Sequence, residues 1–126
     1  MTGRRLLVAT AVAHYPNAPR WDRPGLVAAR EEIIRLFTGT FGYTHLSDLG
    51  LNPTAEQLTS QLRAVCKRAD PEDHLVVYIA GHGETLDGTG DHVLLTADTD
   101  PDDIEDALPT AGLARKMLLD LSLIHI

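Results

Sequence analysis

At 126 residues and 13.7 kDa, the chain is long enough for one domain with its own core and too short for two of ordinary size. Its apolar fraction of 44% and charged fraction of 23% are those of a globular protein, which excludes wholesale disorder. The formal charge of −7 excludes a basic surface that neutralises many phosphates, so we expect no nucleic-acid partner.

The sequence also shows no signal for a membrane or an oxidising compartment. No apolar stretch reaches the roughly 20 residues that a bilayer span needs. The short apolar run behind the basic start leads into His14 and Pro16 rather than a small-residue cleavage site. The single cysteine, Cys66, cannot form an internal disulfide. We therefore expect no membrane partner and a cytoplasmic location.

The first half of the chain predicts strand, helix, strand and helix. Residues 6–13 are nearly all apolar and partly β-branched, which is typical of a strand buried on both faces of a parallel sheet. Residues 26–37 place apolar side chains at helical spacing, and the helix should end near Gly39. Residues 43–49 alternate weakly between glycines and predict a second strand.

The second predicted helix has the clearest signals. Thr54 and Gln57 form a capping-box pattern at its start. An apolar stripe follows and ends before Pro71; its members are Leu58, Leu62, Val65 and Ala69.

The second half predicts a strand, a β-excursion and a third helix. Residues 75–80 are uninterrupted and apolar, and they lead directly into Gly81-His82-Gly83. A turn-rich stretch at residues 87–90 precedes a short strand at residues 93–97. Pro109 and Thr110 then introduce the third helix, whose apolar side should contain Leu113, Met117, Leu118 and Leu121.

Alternating strands and helices indicate an α/β fold with an open, mostly parallel sheet and helices on both faces. Such sheets bind ligands at the carboxyl ends of their strands, where His82 should lie. Its two glycine neighbours would leave room for a substrate backbone and tolerate positive φ, and the Gly83 N–H could be offered to an oxyanion. Imidazole titrates near physiological pH, so His82 could activate a thiol and later protonate an amine.

Residues 76–84, VVYIAGHGE, resemble the histidine strand of the caspase family, in the branch that includes bacterial caspase-like and metacaspase-like peptidases. Residues 91–100 are similar to the family's β-excursion, and residues 108–114 to its next helix. The resemblance implies a caspase-like fold and a cysteine endopeptidase that acts on polypeptides through a Cys/His dyad. It implies that His82 is the catalytic histidine and that the Gly83 amide is one of two oxyanion donors. No cofactor is implied.

The sequence departs from the family in one respect. The nucleophilic cysteine of the family lies on the next strand, roughly 50 residues beyond the histidine, and the sequence ends at Ile126. We therefore expect residues 1–126 to form a single, incomplete domain, truncated after the third helix and inactive by itself. Residues 121–126 do not resemble the approach to the cysteine strand, and a non-native tail is one hypothesis. Bacterial members are often fused to further domains, so a longer natural protein is another.

Other residues suggest chemistry less strongly. Cys66 lies within the apolar stripe of the second helix, so we expect a buried core residue rather than a nucleophile. An acidic run could bind calcium but lacks the glycine and glutamate of a calcium loop, so we expect a solvated loop and no metal. That run contains Asp98, Asp100, Asp102, Asp103, Glu105 and Asp106. We expect surface or edge positions for the other histidines, which are His14, His45, His74, His92 and His125.

Two rival functions stay open on the sequence alone. The first is a non-catalytic caspase-like scaffold or protein-interaction module that never had a nucleophile. The second is a different α/β hydrolase that uses His82 as a metal ligand, for which Asp91 and His92 are the tempting partners.

Overall fold

The centre of the fold is a parallel sheet of three strands in the order β2-β1-β3, as described by a computed structural model that covers residues 3–120 and the side chains of residues 3–117. The strands are β1 (Arg5–Ala11), β2 (Thr44–His45) and β3 (His74–Ala80). Every residue of β1 after Arg5 is buried, since this strand is central. The predicted strands at residues 6–13 and 75–80 are therefore confirmed, with β1 ending two residues earlier than expected.

Within residues 3–120, three α-helices cover the sheet, namely α1 (Gly25–Gly39), α2 (Ala55–Arg68) and α3 (Thr110–Asp120). The chain moves to one side of β1 to form β2 and to the other side to form β3, so right-handed crossovers place α1 and α2 on opposite faces. Val8 of β1 packs with α2 and with Leu113 of α3. The predicted α/β architecture with helices on both faces is thus present.

Helix α2 begins and packs as its sequence predicts. The Thr54 hydroxyl accepts a hydrogen bond from the Gln57 amide at 3.2 Å, and the Gln57 side chain accepts one from the Thr54 amide at 2.9 Å. Leu58, Leu62 and Val65 are all buried against the sheet. The capping box and the apolar stripe together fix where this helix starts and which face it turns inward.

The second strand is much shorter than the predicted residues 43–49. Only Thr44 and His45 pair with β1, opposite Leu6 and Leu7. The chain then turns at residues 47–48, and a single bridge between Ala11 and Leu51 resumes the contact. An edge strand has one neighbour, so a weak alternating pattern does not keep it paired over seven residues.

The β-excursion forms a second, antiparallel sheet of three short strands, in the order β4-β5-β6. They are β4 (Gly83–Thr85), β5 (His92–Leu94) and β6 (Leu108–Pro109). The sequence predicts only the middle strand, at residues 93–97. That strand ends earlier because the Thr96 amide turns to the Thr99 hydroxyl, at 2.7 Å, and leaves the ladder.

A second apolar cluster joins the two sheets. The segment after β1 contributes Val12, Tyr15 and Trp21, and β5 with its following loop contributes Val93 and Leu95. The excursion is therefore attached to the carboxyl end of the parallel sheet rather than projecting freely.

Helix α3 lies where the sequence predicts it. Leu113 is buried and Met117 packs against the same cluster as Val8. The other two members of its predicted apolar side, Leu118 and Leu121, fall outside the side chains that the structure describes. No helix in the described part of the chain is long and apolar enough to cross a membrane.

Strand β3 differs from the prediction of a fully buried strand. Residues 75–80 are all partly exposed and His74 is exposed. The reason is topological: within residues 3–120, β3 pairs with β1 along one edge and with no strand along the other. The sheet therefore ends in an open, apolar edge at the strand that leads to His82.

The burial of Leu62 predicts a large loss of stability when the side chain is shortened. Leu62 is 0% exposed in the cluster between α2 and the sheet. We expect Leu62→Ala to lower the free energy of unfolding by about 2–5 kcal/mol, because it leaves a cavity. The matched control is Leu36→Ala on α1, where the side chain is 43% exposed and we expect a change of about 0.5 kcal/mol or less. Urea unfolding measures both, and equal losses would contradict this packing.

The carboxylate of Asp73 predicts a specific loss of stability in acid. It accepts hydrogen bonds from the Arg4 guanidinium, at 2.6 Å to Nη2, and from the amides of Arg4 and Asp70. These bonds, the guanidinium first, hold the pKa of Asp73 well below its usual range. A depressed folded-state pKa stabilises the fold above the unfolded-state pKa of about 3.9, and the contribution is lost as the pH falls below that value.

We therefore expect Asp73→Asn to destabilise the protein at neutral pH, with the difference from wild type shrinking below about pH 4. Thermal unfolding across the pH range measures this. Asp87→Asn in the exposed turn is the control and should leave the pH dependence unchanged. A constant offset between Asp73→Asn and wild type at every pH would contradict the prediction.

Candidate functional site

His82 lies at the carboxyl end of the parallel sheet, two residues after β3 ends at Ala80. Its side chain is 23% exposed, so part of the imidazole faces solvent. The position is the one that the sequence predicts, because β3 ends just before Gly81 and the next side chain then reaches the edge where open α/β sheets bind ligands.

The main chain of His82 is held by Tyr15, which follows β1. The His82 amide donates to the Tyr15 hydroxyl at 2.7 Å, and that hydroxyl donates to the Leu95 carbonyl at 3.3 Å. Burial raises the pKa of Tyr15, so the hydroxyl keeps the proton that it donates. One buried side chain thereby ties the ends of β1, β3 and β5 together.

The imidazole of His82 stacks on the indole of Trp21. Their ring centroids are 5.7 Å apart and the planes differ by 14°. Trp21 is buried and is itself held by the edge of Tyr15, at 5.7 Å and 87°. The Arg20 guanidinium lies over the Trp21 ring, 5.1 Å from its centroid. The plane of the imidazole is therefore set by a rigid aromatic neighbour.

Glu84 contacts a ring nitrogen of His82. Its Oε1 lies 3.0 Å from His82 Nε2, and its side chain is 40% exposed. Residues 82 and 84 are two apart in extended backbone, so their side chains point to the same side. The pair is a hydrogen-bonded carboxylate and imidazole at the rim of the site.

The Gly83 amide is directed away from the second sheet. The Leu95 amide donates to the His82 carbonyl at 3.1 Å, while Gly83 is the direct partner of Leu94. In an antiparallel ladder this makes Gly83–Leu94 a non-hydrogen-bonded pair, so the Gly83 N–H points to the side opposite β5. Such an amide can serve a ligand.

The two glycines around His82 have close neighbours and ordinary backbone angles. Neither uses the positive φ that glycine tolerates; the described glycines that do are Gly42 and Gly90. A Cβ on Gly81 would lie 3.0 Å from the Tyr15 hydroxyl. A Cβ on Gly83 would lie 2.7 Å from Nε2 of His92. Gly81 therefore leaves room for the Tyr15 hydroxyl, and Gly83 leaves room for the His92 imidazole.

Cys66 does not lie in this site. It is buried, at 1% exposure, in the last turn of α2. Since α2 runs back toward the start of β3, its last turn is at the amino ends of the strands, whereas His82 is at their carboxyl ends. The prediction that Cys66 is a core residue is confirmed.

The acidic run is an exposed, solvated loop, as the sequence predicts; its carboxylates are Asp98, Asp100, Asp102, Asp103, Glu105 and Asp106. Asp98 also accepts hydrogen bonds from the Ala55 amide at the start of α2 and from the Thr96 hydroxyl. Burial raises the pKa of Asp98, but these bonds outweigh it and the net shift is downward. Among residues 3–120, no three His, Cys, Asp or Glu side chains converge as a metal site.

The remaining histidines lie mostly at the surface, as the sequence predicts. His14, His74 and His92 are exposed, and His92 contacts Thr110 at 2.6 Å. His45 in edge strand β2 is partly buried, and burial lowers the pKa of its imidazole. His125 falls outside the described residues.

Sequence reasoning missed three residues that contact His82, namely Tyr15, Trp21 and Glu84. Glu84 lies in β4, which the sequence does not predict, so only its closeness to His82 along the chain pointed to it. Tyr15 and Trp21 lie in an irregular, proline-rich segment and have no periodic signal.

Comparison with protein families agrees with this geometry. The family model described as the caspase domain matches residues 4–121, which include both sheets and the His82 site. A search of curated proteins finds no match. Because the match covers nearly the whole chain, the chain belongs to the caspase domain family of cysteine peptidases.

Proposed function

We propose that this domain hydrolyses peptide bonds by cysteine-type acyl transfer, with His82 as the general base and acid and the Gly83 N–H as an oxyanion donor. The observation that carries the proposal is the juxtaposition of these two groups on consecutive residues at the carboxyl end of the sheet. The imidazole is partly exposed and fixed, and the neighbouring amide is directed away from β5.

The chemistry follows from the two groups. The imidazole takes the proton of a cysteine thiol, and the thiolate attacks the carbonyl carbon of the substrate. The Gly83 amide stabilises the oxyanion of the tetrahedral intermediate, and loss of one such donor typically costs about 100- to 1,000-fold in rate. The imidazolium of His82 then gives its proton to the leaving amine, and water hydrolyses the acyl-enzyme.

The proposal places the nucleophile on a strand that pairs with the open edge of β3. The only cysteine of the chain, Cys66, is buried at the other end of the sheet. A strand along that edge would end beside His82, because parallel strands end at the same side of a sheet. The partial exposure of residues 75–80 supports such a partner. We also propose that the protein acts in the cytoplasm and that it belongs to the bacterial and metacaspase-like branch of the family.

The alternative is a caspase-like module that binds proteins without cleaving them. The observation in its favour is that Cys66, the cysteine within residues 1–126, is buried in α2 rather than beside His82. The His82 contacts oppose it, since a binding module needs no partly exposed imidazole held by a carboxylate and an indole.

Reading the gene beyond codon 126 and expressing the longest open frame tests the proposal. We expect a cysteine on the strand after α3 and cleavage of a peptide library with Asp, Arg or Lys before the scissile bond. Cleavage should fall by at least about 100-fold in His82→Ala, the scale of general acid–base catalysis. His74→Ala, at the exposed start of the same strand, is the matched control and should keep activity. Cleavage that survives His82→Ala would contradict the mechanism, and a frame without that cysteine would favour the binding module.

The burial of Cys66 predicts low thiol reactivity and no peptidase activity for the 126-residue chain. We expect the folded protein to react slowly with a chromogenic disulfide reagent and rapidly once it is unfolded in guanidinium, because the thiol is 1% exposed. Cys66→Ser should remove the reaction in both states and serves as the control. Fast labelling of the folded chain, or peptide cleavage that Cys66→Ser abolishes, would overturn the assignment of Cys66 to the core.

A further inference from the structure

Three different residues each fix one degree of freedom of His82. Tyr15 holds the main chain through the His82 amide, at 2.7 Å. Trp21 holds the plane of the ring, at a centroid distance of 5.7 Å and an angle of 14°. Glu84 contacts one of the two ring nitrogens, with 3.0 Å between Oε1 and Nε2. A histidine without a function at the end of a strand would not need all three of these contacts.

The contact with Glu84 decides which nitrogen carries the proton. An ionised carboxylate can only accept hydrogen bonds, so Nε2 must be the donor in this pair. In a neutral imidazole the other nitrogen is then unprotonated, because the hydrogen bond of one ring nitrogen sets the state of the other. Nδ1 is therefore the nitrogen with a lone pair.

The backbone of Glu84 and the plane of the imidazole are both fixed by neighbouring residues. Glu84 belongs to β4 and pairs with Val93 of β5, so its backbone is fixed by the ladder. Its side chain is 40% exposed, which leaves the carboxylate partly solvated. Trp21 is buried and stacks on the imidazole, so it sets the plane of the ring.

We propose that Glu84 and Trp21 are positioning residues for His82, which hold the imidazole in the tautomer with the proton on Nε2 and thereby make Nδ1 the base. This inference rests on the proposed function. In the first step the thiol S–H bond breaks and an Nδ1–H bond forms, while the Nε2 proton stays on the ring between His82 and Glu84. The Glu84 carboxylate stabilises the imidazolium so formed. The Nδ1 proton then moves to the leaving amine, which restores the neutral tautomer.

The test is the tautomeric state of His82 in the 126-residue chain, measured by two-bond ¹H–¹⁵N correlation of protein labelled on histidine. Spectra are recorded at about pH 8.5, roughly two units above the ordinary pKa of imidazole. The signals of His82 among the six histidines are identified by their absence in His82→Gln. We expect wild type to show one tautomer, with the proton on Nε2, and Glu84→Ala to show a mixture of the two.

Matched variants separate positioning from general damage to the fold. Glu84→Gln keeps the shape and an acceptor oxygen, so it should restore much of the single tautomer. Glu32→Ala removes an exposed carboxylate on α1 and should leave His82 unchanged. Trp21→Leu should remove the ring-current shift of the His82 ring protons, whereas Trp21→Phe should retain part of it.

Two results would overturn the inference: a proton on Nδ1 in wild type, or an unchanged single tautomer in Glu84→Ala. The measurement needs no nucleophile, so it is independent of the peptidase assay. A Glu84-dependent tautomer together with cleavage that survives His82→Ala overturns the proposed function alone. Cleavage that requires His82, with a tautomer insensitive to Glu84, overturns this inference alone.

Discussion

The hydroxyl of Tyr15 is the interaction on which the rest of the site depends. It accepts from the His82 amide and donates to the Leu95 carbonyl, so it joins segments that are 67 and 80 residues away along the chain. Leaving a buried amide without its partner costs about 1–3 kcal/mol. The two sheets are also in contact through the cluster around Tyr15, and the Leu95 amide adds a further hydrogen bond to the His82 carbonyl. The position of the Tyr15 hydroxyl therefore helps to orient the backbone of His82, which lies between β3 and β4.

The Gly-His-Gly motif acquires its physical meaning from the same arrangement. A Cβ on Gly81 would crowd the Tyr15 hydroxyl, and a Cβ on Gly83 would crowd the His92 imidazole. The backbone at both glycines is ordinary, so neither needs a left-handed conformation. The motif therefore has two close neighbours, one from the segment after β1 and one from the excursion, on either side of a single histidine.

How far the sequence predicts the structure depends on whether the signal is local. Strand β1 and helix α2 are predicted well, because continuous burial and a capping box are both written into a few adjacent residues. The place of His82 follows from the strand before it. The predicted lengths of β2 and β5 are wrong. Pairing with β1 decides where β2 ends, and a turn at Thr96 decides where β5 ends. Strands β4 and β6 are too short for a periodic pattern.

The contacts of His82 illustrate the same limit within the site. Glu84 is only two residues away, but it lies in β4, which is too short for a periodic pattern to place it beside the imidazole. Tyr15 and Trp21 lie more than 60 positions earlier, in a segment that contains prolines and no repeat. Their roles arise only when the loop after β1 folds over the end of β3, which no local pattern encodes. The family resemblance singles out His82 and Gly83 as candidates, but not the residues that hold them.

Burial across the parallel sheet is unequal, and the site lies on its less protected side. Strand β1 is enclosed, whereas β3, which leads to His82, is partly exposed at every residue from 75 to 80. A strand that is hydrogen-bonded to a neighbouring strand along one edge only depends on its other contacts for rigidity. The register of seven residues with β1 supplies part of that rigidity, and the contacts with Tyr15, Trp21 and Glu84 supply the rest beyond the last pair. The imidazole can therefore be both accessible and fixed, which is what a general base requires.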